Sequence, residues 1–85
     1  MPKAPQQKRK LFILKQFLEQ QTDEQHTVTA QDMMAELARW GISAERKSIY
    51  DDMEALRSFG MDIHCRRGRA GGWFLGQRDF ELPEL

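Results

Sequence analysis

The sequence predicts a small α+β domain, three helices followed by a two-stranded β-hairpin. Three observations carry that expectation. Apolar residues recur at helical spacing in three segments, and a glycine stands where two of those segments should end. After Gly60 the pattern changes to alternation around a glycine-rich turn. The chain has 85 residues, enough for one modest core and too few for two.

Residues 1–6 hold two prolines and no periodic pattern, and they read as a flexible tail. From Gln7 to about Gln20, Leu11, Leu14 and Leu18 mark one helical stripe with Phe17 on its flank. Phe12 and Ile13 fall outside that stripe, so they either widen the buried face or cover a neighbour. The cluster Lys8-Arg9-Lys10 opposes the helix macrodipole, which suggests a use beyond stability. Its plainer reading is a solubilising tail.

The polar segment Gln21–Thr27 reads as a loop. Thr29 then caps a second helix, Asp32 answers it as the third residue of a capping box, and Val28 staples to Met33. That helix carries Met33, Met34, Leu37 and Trp40 and stops at Gly41. Ser43 is the expected cap of a third helix running to about Phe59, with Gly60 as its stop. Two helices joined by a short glycine-containing turn make a helix-turn-helix. Met61–Arg66 alternates as a strand, Arg67–Gly72 forms the tip, and Trp73–Leu75 returns, which adds a wing. Cys65 is expected to face the core, and either Trp73 or Phe74 to close it. The winged helix-turn-helix is expected to span residues 7–78. Residues 79–85, apolar at alternate positions and with Glu84 just after Pro83, read as the start of a linker to a further C-terminal domain.

Charge and chemistry narrow the function. Lysine plus arginine number 13 and aspartate plus glutamate 13, a neutral total that by itself argues against a nucleic-acid binder. The distribution is uneven. Lys3, Lys8, Arg9, Lys10 and Lys15 open the chain with no acid among them, and Arg66, Arg67 and Arg69 crowd the hairpin tip. In a helix-turn-helix the second helix of the pair enters the major groove. With Ile49 at the centre of its buried face, Lys47, Asp51 and Glu54 point outward, and Ser48 and Tyr50 lie on the shoulders. Arg46 reaches from the core edge toward a phosphate, and the free N–H groups after Ser43 offer another phosphate site. The three tip arginines suit the backbone or the minor groove. The plainer readings are a solvated helix face, on which acids outnumber bases, and an ordinary turn.

Catalytic and metal readings find little support. His64 and Cys65 are adjacent and face opposite sides of a strand, His26 is distant, and there is no second cysteine for a zinc site. Asp51 and Asp52 diverge by ~100° on a helix, unlike a paired acid and base. No glycine-rich phosphate loop or nucleophile elbow occurs. The expectation is a non-enzyme without a cofactor. No apolar run approaches the ~18 residues of a membrane span, no export signal is recognisable, and a single cysteine suits a reducing cytoplasm.

The run from Gly41 to Ile63, followed by Gly71 to Leu85, resembles the N-terminal winged helix-turn-helix of bacterial WYL-domain transcriptional regulators, which are related to the DeoR type. In that family the third helix carries a pattern that Arg46, Ser48, Ile49, Tyr50, Asp52, Met53 and Leu56 match, and Gly71-Gly72-Trp73 matches its glycine-glycine-aromatic return strand. The likeness covers nearly all of the chain from about Lys10. It implies a regulator, usually dimeric, that binds double-stranded DNA and senses an effector through a separate domain. One position departs: Asp51 stands where relatives often carry a base, and pairing with Lys47 would weaken the grip on phosphate further. The expected DNA contacts are Ser43, Arg46, Lys47, Ser48, Tyr50, Asp51, Arg66, Arg67 and Arg69. The rival is a winged helix that holds a partner protein with the same faces and binds no DNA.

Overall fold

The computed structural model describes residues 3–69 and 71–76, with side chains from Gln7 onward. In chain order it contains α1 (Lys3–Gln21), α2 (Ala30–Arg39), α3 (Arg46–Ser58), β1 (Ile63–Arg66) and β2 (Gly72–Leu75). Three helices followed by an antiparallel hairpin make the winged-helix-like α+β fold that the sequence predicts. The expectation for residues 79–85 falls outside the described residues.

Helix α1 starts at Lys3 rather than at Gln7, so part of the expected tail is helical. Pro5 falls in the first turn, where no intrahelical N–H is required and its fixed φ suits the helix. Leu14 and Leu18 are fully buried, and Ile13 joins them, while Phe12 remains 55% exposed. The buried arc is wider than the leucine stripe because α1 packs against α2, α3 and β2 together.

The capping box of α2 forms as expected. The Asp32 N–H donates to Thr29 Oγ1 at 3.0 Å, and the Thr29 N–H donates to Asp32 Oδ2 at 2.9 Å. Gly41 closes α2 at φ +78° and Gly60 follows α3 at φ +108°, left-handed positions that favour glycine. Trp40 does not extend the apolar face of α2. It is the C-cap, half exposed, with Nε1–H donating to Glu36 Oε2 at 3.1 Å.

Helix α3 begins later than expected, and Ser43 is not its cap. Residues 42–45 form an irregular connector that delivers Ile42 to the core, and Glu45 occupies the N-cap position. The Glu45 N–H donates to Ser48 Oγ at 3.3 Å, and the Ser48 hydroxyl donates back to the Glu45 carbonyl at 2.9 Å. Below this turn Ile49, Met53 and Leu56 are buried against Leu14, Leu18, Met33 and Leu37 in one core cluster.

The hairpin pairs Ile63 with Leu75, His64 with Phe74, Cys65 with Trp73 and Arg66 with Gly72. Ile63 and Leu75 are buried and close the core. Cys65, two residues further along the same face, lies beyond the core edge and is exposed, contrary to expectation. Two ties bind the return strand to the helical layer. The Trp73 N–H donates to the Val28 carbonyl at 2.7 Å and the Val28 N–H donates to the Trp73 carbonyl at 3.0 Å. Thr22 Oγ1 accepts from the Leu75 N–H at 3.0 Å and donates to the Leu18 carbonyl at 2.7 Å.

The first tie constrains Gly72. A Cβ there would lie 2.5 Å from the Val28 carbonyl oxygen, at a φ of +150°. Gly72→Ala is therefore expected to cost about 2–3 kcal/mol in chemical denaturation, from strain and a lost bridge. Gly68→Ala, also at positive φ but facing open space, should cost only about 1 kcal/mol.

Candidate nucleic-acid interface

Helix α3 presents its outer face because its inner face is fixed by charge as well as by apolar burial. Asp52 is only 3% exposed and Lys10 of α1 only 9%. Lys10 Nζ lies 2.8 Å from Asp52 Oδ2, which has no hydrogen bond of its own, and donates to Ser48 Oγ at 3.2 Å. Gln7 Nε2–H donates to Asp52 Oδ1 at 3.3 Å. These side chains fasten α1 to the first two turns of α3. The sequence signal was present: Lys10, Leu14 and Leu18 share one stripe at intervals of four, and Asp52 adjoins Met53 on the buried side of α3.

That network changes the reading of Ser48. Its hydroxyl accepts from Lys10 and Glu45 and donates to Glu45, so it holds the helix start together and has no proton left for a phosphate. Ser43 is exposed in the connector and caps nothing. Arg46 and Lys47 occupy the first turn of α3, both exposed, with no acid in that turn. Lys47 makes no ion pair with Asp51 among the described residues, and both side chains are exposed. Tyr50 is 45% exposed, and its ring rests against Trp73 with centroids 5.3 Å apart. Tyr50 therefore braces the wing against α3 as well as facing outward.

The two faces of the hairpin differ. Toward α3, Trp73 and Cys65 join Tyr50, Asp51, Met53 and Glu54 around an open groove of about 390 Å³. Arg57 anchors its floor, donating from Nε and Nη2 to the Ile63 carbonyl at 3.2 and 3.0 Å and from Nη1 to Glu54 at 2.8 Å. On the other face His64 stacks on Phe74 at 5.1 Å, and Arg66 lies over the same ring at 4.7 Å. Arg66 Nη2 also donates to the Glu24 carbonyl at 2.7 Å. Arg66 is thus turned toward the α1–α2 loop and away from the tip arginines. In that loop the His26 ring, 2.8 Å from Asp23 Oδ1, and the Gln25 N–H hold the Asp23 carboxyl below the usual carboxylate range. Arg67 and Arg69 stand exposed at the tip.

The structure therefore brings Arg46, Lys47, Tyr50 and Asp51 together on α3, sets Arg67 and Arg69 on the hairpin tip, and turns Ser48 and Arg66 inward or aside. Trp73, Lys10 and Asp52 are positioning residues that were not among the expected contacts. Among the described residues no group of three or more His, Cys, Asp and Glu side chains is arranged to hold a metal ion. No described helix is long and apolar enough to cross a membrane. No family model matches the chain, and neither does any curated protein or solved structure.

The buried pair gives a direct test of how α3 is held. Asp52→Ala leaves the Lys10 ammonium uncompensated and should cost about 3–5 kcal/mol of folding stability by denaturant titration. The double variant Lys10→Met, Asp52→Leu should recover most of that loss, because the desolvation of two charges disappears with the pair.

Proposed function

We propose that this domain binds double-stranded DNA as the reading head of a transcriptional regulator, with α3 in the major groove and the hairpin tip on the flanking backbone or minor groove. One observation carries the reading: the division of the cations. Lys10, Lys15, Arg39 and Arg57 are each in an ion pair, and Arg66 is held by a carbonyl and a ring. Besides Lys8 and Arg9 on α1, four cations have no partner among the described residues: Arg46 and Lys47 at the start of α3, and Arg67 and Arg69 on the tip. Those four sit on the helix and the loop that a winged helix directs at a duplex.

Local electrostatics support the same reading. Two bases in the first turn of α3 oppose its macrodipole, a small cost that a bound phosphate would reverse. The motif resemblance to WYL-domain regulators points the same way. It adds a homodimer, whose two third helices would meet half-sites ~34 Å or a multiple of it apart, and an effector bound by a separate domain.

Duplex binding measured by fluorescence anisotropy across a salt series tests the proposal. Affinity should fall steeply with salt, and Arg67→Ala with Arg69→Ala should flatten the logarithmic slope by about 2 units for every sequence. Lys47→Ala should weaken binding by about 1–3 kcal/mol with an unchanged melting temperature, because Lys47 is exposed and makes no hydrogen bond or ion pair among the described residues. Tyr50→Ala should weaken binding and stability together, since its ring packs on Trp73. Failure to detect salt-dependent binding at any salt concentration would favour the rival, a protein-interaction module.

A further inference from the structure

The outer face of α3 holds a carboxylate that phosphate binding does not explain. Asp51 lies one helical turn after Lys47, a spacing at which acid and base commonly pair. Lys15 and Glu19, at the same spacing on α1, pair at 3.0 Å. Asp51 and Lys47 do not. The other acids of α3 are taken, Asp52 by Lys10 at 2.8 Å and Glu54 by Arg57 at 2.8 Å. Asp51 is the one carboxylate of α3 left without a partner among the described residues, exposed at the rim of the groove shared with Tyr50 and Trp73.

On a duplex such a group is repelled by phosphates, so its favourable partners are the amino groups on base edges. In the major groove guanine offers acceptors only, and thymine an acceptor and a methyl. Adenine offers an amino group, but its N7 acceptor stands beside it and opposes a carboxylate. Cytosine N4–H is the remaining donor, and the best match. Lys47, about 6 Å away along the helix axis, makes the opposite demand, for the O6 and N7 acceptors of guanine. That separation is close to two base-pair steps of about 3.4 Å.

We infer that Asp51 is a specificity-determining residue of the proposed interface, selecting a C·G pair by accepting the cytosine N4–H, with Lys47 favouring a guanine about two steps away. The inference rests on the DNA-binding reading above. It also gives the carboxylate a second effect: it lowers affinity for every other sequence, so that discrimination rises as general attraction falls.

Selection of bound sites from random duplexes by the 85-residue chain and its Asp51→Asn and Asp51→Ala variants tests this. The parent should enrich a cytosine at one position, with about tenfold weaker binding when that pair is changed. Asp51→Asn should move the preference at that position to adenine, whose N6 and N7 suit an amide. Asp51→Ala should abolish it, with the other positions retained. Both variants should bind unrelated duplexes more tightly than the parent. Asp51 supports no contact in the fold, so circular dichroism should show all three proteins equally folded. A parental motif without that cytosine, or one motif common to all three proteins, would overturn the role of Asp51 while DNA binding stands. Absence of salt-dependent binding by the parent would overturn both.

Discussion

The ion pair between Lys10 and Asp52 governs the rest of the structure. Desolvating two charges is costly, and the cost is offset only when the geometry is close and other donors complete the shell. Here Gln7 donates to Asp52 Oδ1 and Ser48 accepts from Lys10, and Ser48 is also the residue that closes the first turn of α3. An apolar pair would bury similar area but would tolerate a helix rotated by a fraction of a turn. The charge pair adds a directional requirement, that Asp52 face Lys10. Once Asp52 is turned inward, Arg46, Lys47 and Asp51 are left outside.

The neutral total charge is consequently a poor guide to the surface. Several bases and acids neutralise one another within the fold, as Arg57 does with Glu54 and Lys10 with Asp52. Apart from Lys8 and Arg9 on α1, the described cations that remain unpaired lie where α3 begins and where the hairpin turns. The total is zero because 13 bases meet 13 acids over the whole chain, whereas the local field near α3 and the tip follows the unpaired groups within a Debye length of about 8–10 Å.

Much of the architecture was legible because local signals agreed with the tertiary outcome. Thr29 and Asp32 announced the start of α2, Gly41 and Gly60 the ends of two helices, and the alternation around Ile63 the hairpin. Residue type alone points to Ser43 as the cap of α3, whereas burying Ile42 requires an irregular connector that moves the cap to Glu45. Cys65 departs from expectation, and the choice left open at Ile13 is settled, for a related reason. Periodicity gives a direction but not how far the neighbouring layer extends, so α1 buries a wider arc and the core ends before Cys65. Of the candidate contacts, the outward angles of Lys47 and Asp51 were readable from spacing, but the diversion of Ser48 and Arg66 was not. It depends on Lys10 and Glu24, which are distant in sequence.

The backbone bridge between Val28 and Trp73 has a thermodynamic consequence for recognition. A wing joined to its domain only by its own two strands would swing, and any surface it met would have to immobilise it. This wing is tied to the helical layer through Val28, Thr22 and the ring of Tyr50. The distance between the tip and the first turn of α3 is thereby set before any encounter. Such a domain behaves as a caliper. A surface with the matching span forfeits little entropy on docking, and one with a different span must itself deform to be gripped.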